Sequence, residues 1–407
     1  MHPLLTRIAL ALALLLGVAE LLARAAFPLP EILGFDRSSY SYLGFAPGGD
    51  QPTSLGHASF TWASDPDGFE FVHALNLYGF RDGEWRLAKE ADSTRVAFVG
   101  DSFVEGFSAG AEDTIPRVFA EAARSRGRQI ETLNLGVGGG TLQSYARLLS
   151  DALPLFRPDG LVLVLFANDV VEKRLSADLA EPLAPRRPHP LAPRLFVVAR
   201  RILAGERVPR RWIEPPFAFL PAVPDPRNAW SDGKRAGQLA FVDPEIARAA
   251  RAGRFNPMLP DAMPWFERAL RREVDLGSHL RLFRDLAQSV GSAFGVVYLP
   301  TKMQVSDRYL ESIARFSPPG SAVSLMGPRY QRHARELAAT CREIGVPYLD
   351  LTAVLREADA SSPVYWSYDD HLRPQGYRLA ATAVLDWWQA RLADGATGAR
   401  PSAARSP

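Results

Sequence analysis

The chain has 407 residues, of which 47% are hydrophobic and 23% charged, a composition that predicts a folded core and excludes an intrinsically disordered protein. The formal net charge is only +2, and the basic residues are scattered among the acidic ones, so no basic tract predicts binding to nucleic acid. The single cysteine, Cys341, has no partner for a disulfide within the chain, and we predict that it is buried in a helix.

The N-terminus predicts a membrane helix. Residues 8–27 are apolar apart from Glu20 and Arg24, and about twenty helical residues span about 30 Å, the thickness of a bilayer core. Arg7 precedes the apolar run, which favours a cytoplasmic N-terminus and export of the remainder. The alternative is a cleaved signal peptide, because Ala23-Arg24-Ala25 has the small-x-small pattern of a cleavage site. Under both interpretations the folded part lies outside the cytoplasm.

After this helix, residues 28–92 are rich in Pro, Gly and aromatic residues, which predicts a linker followed by irregular or short-stranded structure with a compact turn at 76–82. From residue 95 the pattern becomes regular. Five apolar runs predict strands at 96–99, 130–136, 160–167, 294–300 and 346–351. Amphipathic segments predict helices at 114–126, with Asp113 as its N-cap, and at 141–153, 265–290, 330–344 and 374–392.

The repeated order of strand and helix predicts an α/β fold: a three-layer α/β/α sandwich with a mostly parallel, flavodoxin-like five-stranded sheet, preceded by the transmembrane helix. Residues 175–264 break the pattern with a segment rich in Pro and Arg, which predicts an insertion, a lid or a subdomain. We therefore divide the chain into an anchor or signal peptide at 1–27, the region 28–92, a domain at 93–392 and a disordered tail at 393–407.

Polar groups and glycines follow three of the predicted strands. Ser102 follows the first strand, the glycine-rich segment 136–140 the second and Asn168 the third, while Asp369-Asp370-His371 precedes the last helix. Ligands of open α/β sheets bind at the carboxyl ends of the strands. A serine nucleophile needs a base, a carboxylate that orients the base, and N–H groups that face the developing oxyanion. The pattern therefore predicts a nucleophilic serine, with a simple helix cap as the alternative role for Ser102.

Together these segments resemble the GDSL, or SGNH, hydrolase superfamily, and the N-terminal helix and the turn at 76–82 resemble a membrane-anchored bacterial branch of it. The similar motifs are Gly100-Asp101-Ser102-Phe103, the Asn-Leu-Gly-Val-Gly-Gly segment at 134–139, Asn168-Asp169, and Asp369-Asp370-His371. The resemblance implies that Ser102 is the nucleophile and His371 the general base. It also implies that Gly139 and Asn168 form the oxyanion hole together with the Ser102 N–H.

The sequence departs from the family pattern at the acid. The superfamily usually has its acid three residues before the histidine, but that position is Tyr368 here. Asp369, two residues before His371, is the preferred acid, because this spacing resembles the alginate-acetylation branch, and Asp370 is the alternative. The asparagine motif also lacks its common preceding glycine and has Phe166-Ala167 instead.

The resemblance implies a serine esterase that hydrolyses acyl esters, with acetyl as the first choice, of a cell-envelope or exported carbohydrate. We expect no cofactor and no metal, since the other histidines lack metal-ligand spacing. We expect a single-pass protein of the bacterial inner membrane with a periplasmic domain and polysaccharide-assembly proteins as partners. The alternatives are a polysaccharide O-acetyltransferase, favoured by Asp-x-His and by Pro300-Thr301-Lys302, and a non-catalytic polysaccharide-binding protein.

Overall fold

The computed structural model describes residues 3–27, 58–62, 71–166, 169, 193–203, 244–252, 275–314 and 331–393. The strands are β1 (Ala58–Trp62), β2 (Phe71–Leu75), β3 (Thr94–Gly100), β4 (Ile130–Gly136), β5 (Gly160–Leu165), β6 (Ala293–Tyr298) and β7 (Tyr348–Asp350). The helices are α1 (Pro3–Ala26), α2 (Ser102–Glu105), α3 (Ile115–Ser125), α4 (Leu142–Phe156), α5 (Arg194–Leu203), α6 (Pro244–Arg251), α7 (Leu276–Ser289), α8 (Lys302–Val305), α9 (Arg308–Ala314), α10 (Arg332–Ile344), α11 (Thr352–Ser361) and α12 (Pro374–Arg391).

Five strands form one sheet in the order β4-β3-β5-β6-β7, and each neighbouring pair is parallel. Numbered along the chain, this is the order 2-1-3-4-5 of flavodoxin-like sheets, whose ligands bind at the carboxyl edge where the order reverses. The predicted α/β fold and parallel sheet are confirmed. Strands β1 and β2 pair separately as an antiparallel hairpin within the region predicted to be irregular or short-stranded.

Alternate residues of β3 bury their side chains in two different layers of the core. Val96 and Phe98 belong to the layer that contains residues of α3 and α12, whereas Ala97 and Val99 belong to the layer that contains residues of α4, α7 and α10. A strand that is buried on both faces consists of a continuous run of apolar residues, which is why β3 can be predicted from the sequence. Cys341 is fully buried in the second layer, as predicted.

Helix boundaries follow local capping chemistry. Helix α4 begins after Thr141, which forms a capping box with Ser144, and α12 begins at Pro374. The prediction that Asp113 caps α3 is wrong, because Thr114 is the N-cap and Asp113 ends a short 3-10 turn (Ala111–Asp113). The carboxylate of Asp113 instead accepts a 2.5 Å hydrogen bond from Arg378. A long-range ion pair thus replaces the local cap.

Several predicted segments fall partly outside the described residues. The helix predicted at 265–290 is described from α7 onward, where Asp275 is its N-cap, and the tail beyond residue 393 is not described. The predicted insertion contains α5 and α6 in its described parts. The short helices α2, α8, α9 and α11 are additions to the predicted elements.

The first helix contains a segment, Leu4–Ala26, that by length and composition can cross a membrane. A signal sequence near an N-terminus meets the same criterion. The described structure therefore agrees with either of the two interpretations of the N-terminus.

Candidate active site

Ser102 lies at a sharp turn between β3 and α2. Strand β3 ends at Gly100, and Asp101 caps α2 by accepting a 3.0 Å hydrogen bond from the Phe103 N–H. Ser102 is the first residue of this helix, so its own N–H has no acceptor within the helix, and it forms no hydrogen bond among the described residues. The turn therefore presents both a half-buried hydroxyl and a backbone donor at the carboxyl edge of the sheet.

Two glycines allow α2 to lie directly on the strand ends. A Cβ atom at Gly136, the last residue of β4, would lie 2.1 Å from the Glu105 backbone nitrogen. A Cβ at Gly100 would lie 2.6 Å from Cγ2 of Val104 in α2 and 2.7 Å from the carbonyl oxygen of Val164 in β5. Any side chain at either position would push the serine turn away from the sheet.

The glycine-rich loop after β4 adjoins this turn, since the Val137 N–H donates to the Gly100 carbonyl over 3.0 Å. The Gly138 N–H donates to the buried carboxylate of Glu105 over 3.0 Å, and the Gly140 N–H donates to the Val137 carbonyl. Gly139, between them, has a positive φ of 68°. Its N–H makes no hydrogen bond within the described part of the chain, so it is available to a ligand.

Asn168 lies outside the described residues, and its predicted place in the oxyanion hole stays a prediction. Its neighbour Asp169 is described and fully buried. The Asp169 carboxylate accepts hydrogen bonds from the Tyr145 hydroxyl, at 2.5 Å, and from the Phe166 N–H, at 2.7 Å. These two bonds place the Asp169 carboxylate between α4 and Phe166, the residue that follows β5, which is a structural role for a buried carboxylate.

His371 connects the serine to a carboxylate. Its Nε2 lies 2.7 Å from Ser102 Oγ, and its Nδ1 lies 2.6 Å from Asp369 Oδ1. The nearest oxygen of Asp370 is 3.5 Å from the same Nδ1, so Asp369 is the hydrogen-bond partner and Asp370 is only a nearby charge. The rings of Phe103 and Phe107 pack against the imidazole, with centroids 4.7 and 5.1 Å away.

The Asp369 loop is held by side chains from distant parts of the chain. The Ser108 hydroxyl donates a hydrogen bond to Asp369 Oδ2. The Ser108 carbonyl accepts a hydrogen bond of 3.0 Å from the Trp366 indole N–H. Lys302, only 1% exposed, donates to the carbonyls of Trp366, Ser367 and Asp369 at 3.0, 2.8 and 3.2 Å. The orientation of the acid thus depends on two residues that the sequence analysis did not place in the site.

The compact turn predicted at 76–82 also supports the site. Its Arg81 is 3% exposed and donates to the carbonyls of Gly106 and Ala109, the latter at 2.5 Å, on either side of Ser108. Burial lowers the pKa of Arg81 to about 10, even though the nearby Glu105 opposes the shift. Ser108 has a positive φ of 63°, a conformation that costs energy for a residue other than glycine. Arg81 therefore stabilises a strained segment next to the acid.

The electrostatics of the site favour a protonated imidazole. Burial alone would lower the pKa of His371, but the carboxylates of Asp369 and Asp370 outweigh it and raise this pKa to about 9. Burial raises the pKa of Asp370. An imidazole with this environment readily holds a proton taken from Ser102.

A metal ion is the other use for such a cluster. Among the described residues, Asp369, Asp370 and His371 form a group whose potential ligand atoms lie within 4.8 Å of one another. Both ring nitrogens of His371 are already engaged, however, one by Asp369 and the other by Ser102. A metal would have to replace one of these bonds, so the donor set fits proton transfer better than metal binding.

No protein-family model and no curated protein matches the chain. The chain is similar to solved structures of lipolytic proteins of the G-D-S-L family from Veillonella parvula, at 12% identity and a TM-score of 0.34, and from Desulfitobacterium hafniense, at 14% identity and a TM-score of 0.35. Each of these two matches covers 72% of this chain; the first covers 97% of the Veillonella protein and the second 99% of the Desulfitobacterium protein. An esterase from Pseudoalteromonas is similar at 9% identity and a TM-score of 0.34, over 73% of this chain and 98% of that one.

Proposed function

We propose that this chain is a serine esterase of the SGNH type that hydrolyses acyl esters through an acyl-Ser102 intermediate. One observation carries the proposal: Asp369, His371 and Ser102 form a continuous hydrogen-bonded series at the carboxyl edge of a parallel sheet. The N–H groups of Ser102, the first residue of α2, and of Gly139, in the adjoining loop, form no hydrogen bond among the described residues. A nucleophile, a base, an orienting carboxylate and oxyanion donors together are what acyl transfer needs.

The reaction proceeds in two halves. Ser102 Oγ attacks the ester carbonyl carbon while His371 Nε2 takes its proton, and Asp369 stabilises the imidazolium through Nδ1–H. The imidazolium then protonates the departing alcohol, which leaves an acyl group on Ser102. In the second half, His371 takes a proton from water, the hydroxide attacks the acyl carbon, and the carboxylic acid leaves as the proton returns to Ser102 Oγ.

The negative charge that develops on the carbonyl oxygen needs donors. The N–H groups of Ser102 and Gly139 supply two of them, and the side-chain amide of Asn168 is the proposed third. The loop of Gly139 is held for this task by the bond between Gly138 and Glu105. Removal of one such donor from an oxyanion hole typically costs about 10²–10³ in kcat.

The proposed substrate is an acetyl ester of a cell-envelope or exported carbohydrate, and the proposed location is the periplasmic face of a bacterial inner membrane. The location is supported by the apolar segment Leu4–Ala26 and by Arg7 at its N-terminal end. The substrate class follows from the resemblance to a membrane-anchored bacterial branch of the superfamily. Polysaccharide-assembly proteins are the proposed partners.

A polysaccharide O-acetyltransferase is the second candidate. The observation that favours it is the bond between His371 and Asp369, since Asp-x-His resembles the alginate-acetylation branch. In this reaction a sugar hydroxyl replaces water in the second half, and His371 takes the proton of that hydroxyl. A non-catalytic polysaccharide-binding protein is the third candidate.

The test uses the full chain in detergent with p-nitrophenyl acetate, with and without an oligosaccharide acceptor. Hydrolysis in water that disappears in Ser102→Ala but persists in Ser125→Ala, a change at an exposed serine on α3, supports the esterase. Ser102-dependent transfer of acetyl to the sugar, with little hydrolysis, favours the transferase. Absence of Ser102-dependent turnover on several acyl esters would favour the binding protein.

A further inference from the structure

Helix α5 presents an apolar face to solvent. Its side chains Leu195, Phe196 and Leu203 are 36%, 67% and 88% exposed. At about 100° per residue, these three and the exposed Ala199 lie within an arc of about 100° on one side of the helix. Val198 lies outside this arc and is buried. An exposed face composed entirely of apolar side chains needs a covering partner.

The same helix is attached to the candidate membrane span. The Glu20 carboxylate of α1 accepts hydrogen bonds from the Arg194 N–H, at 2.7 Å, and from the Leu195 N–H, at 3.0 Å. These N–H groups belong to the first turn of α5, whose amides have no acceptor within the helix. Arg24 donates to the same carboxylate over 2.7 Å. The N-terminus of α5 is therefore fixed to one particular level of α1.

With α1 as the proposed membrane anchor, that level would correspond to the outer surface of the bilayer. Glu20 precedes the C-terminal end of α1 by about 9 Å at 1.5 Å per residue. A paired carboxylate and arginine belong at the membrane interface rather than in the hydrocarbon, and interfacial helices bury their apolar face about 5–10 Å deep at that boundary. Helix α5 also has the composition of such a helix, because its sequence contains three arginines at 194, 200 and 201 and no acidic residue.

We infer that α5 is an interfacial helix, with Leu195, Phe196 and Leu203 inserted into the lipid at the outer surface of the membrane. The inference rests on the proposed membrane anchor and goes beyond it. A single spanning helix makes one contact with the bilayer, and α5, held by Glu20, adds a second contact at its outer surface. The occupant of the apolar face is the lipid, and the arginines favour anionic headgroups.

The experiment places a fluorescent NBD label on single introduced cysteines in the full chain. The positions are Phe196 and Leu203 on α5, Leu15 within α1, and Ala360, an exposed residue of α11. Cys341 stays in place because it is fully buried, and the unsubstituted chain measures its background labelling. The proteins are reconstituted into vesicles of phosphatidylcholine and phosphatidylglycerol. Emission is then quenched either by spin-labelled lipid or by aqueous iodide.

We expect the labels at positions 196 and 203 to lose most of their emission to the spin-labelled lipid and little to iodide, and the label at 360 to show the reverse. Iodide quenching at 196 and 203, with lipid quenching at 15, would overturn the inference and leave the anchor standing. Iodide quenching at 15 as well would remove the anchor and the inference together. Labels at 196 and 203 that neither quencher reaches would mean that protein covers the face, which also overturns the inference.

Discussion

The two halves of the candidate site are held in place by different means. On the serine side, close backbone contacts position Ser102. Strands β3 and β4 end side by side, and the glycines at 100 and 136 allow α2 to contact both strand ends. On the histidine side the chain is irregular, and Asp369 is held by hydrogen bonds from Ser108 and Lys302.

This difference implies that the two halves fail in different ways. A half built from close backbone contacts tolerates no added atom, because a packed strand end has no space into which it can relax. A half built from side-chain hydrogen bonds tolerates some change in volume, but it fails when a donor or a charge is removed. Substitutions can therefore be chosen to disrupt one half and leave the other in place.

The largest effect is expected from Asp369→Asn. The amide can donate to Nδ1 and so favour the tautomer that carries its proton on Nε2, which then cannot accept the proton of Ser102. We expect kcat for p-nitrophenyl acetate to fall by about 10⁴-fold, by analogy with the same change in a Ser-His-Asp triad. Asp370→Asn is the matched control, since that carboxylate lies 3.5 Å from Nδ1, and it should cost far less. Equal losses, or a larger loss in Asp370→Asn, would reject Asp369 as the acid.

On the serine side, Gly136→Ala should be the most damaging small change. The added methyl group would lie 2.1 Å from the Glu105 nitrogen, so α2 and Ser102 must move away from the sheet. We expect a loss of about 3 kcal/mol in the free energy of unfolding, measured in urea, together with a lower kcat. The control is Gly83→Ala, where nothing lies within 4 Å of the new methyl group. Equal stability of the two variants would show that the turn is not held by close backbone contact.

The serine half is also the half that the sequence predicts well. A buried parallel strand is a continuous apolar run, so the ends of β3, β4 and β5 can be located from composition alone, and the residues after them must meet at one edge. The start of α12 was likewise marked by Pro374. The prediction needed no knowledge of tertiary contacts, since strand ends are local features that the parallel topology brings together.

The sequence predicts His371 as the base and Asp369 as the preferred acid, but it does not predict the side chains that hold them, because those contacts are long-range. Ser108 and Asp369 are separated by 261 residues, and no local pattern relates a serine in a loop to a carboxylate so far along the chain. The spacing favours Asp369, with Asp370 as the alternative, and the distances of 2.6 and 3.5 Å from their oxygens to His371 Nδ1 agree with that preference. The incorrect prediction of Asp113 as the N-cap of α3 also has a long-range cause, because Asp113 pairs with Arg378, far along the chain, and not with its own helix.

The next largest effect is expected at Lys302, whose side chain holds the loop that contains Asp369. Lys302→Met keeps most of the side-chain volume but removes the donor shared by three loop carbonyls. We expect a loss on the order of 3 kcal/mol in the free energy of unfolding, together with reduced kcat, because hydrogen bonds from a buried charge are costly to remove. The control is Lys89→Met, which breaks a partly exposed ion pair with Asp159 and should cost at most about 1 kcal/mol. A loss no larger than that in Lys302→Met would contradict this account of the loop.

The smallest effect concerns pH. His371 must be neutral to accept a proton, and its pKa of about 9 means that kcat/KM should rise with pH up to that value. Asp370→Asn removes one of the charges that stabilise the imidazolium, so the acidic limb should move to lower pH by up to about one unit, equivalent to about 1.4 kcal/mol. Asp386→Asn, which removes an exposed carboxylate paired with Arg126, should leave the limb unchanged. An unmoved limb in Asp370→Asn, or one moved to higher pH, would mean that Asp369 alone sets the proton affinity of His371. The histidine half would then depend on its hydrogen bonds and not on the surrounding charge.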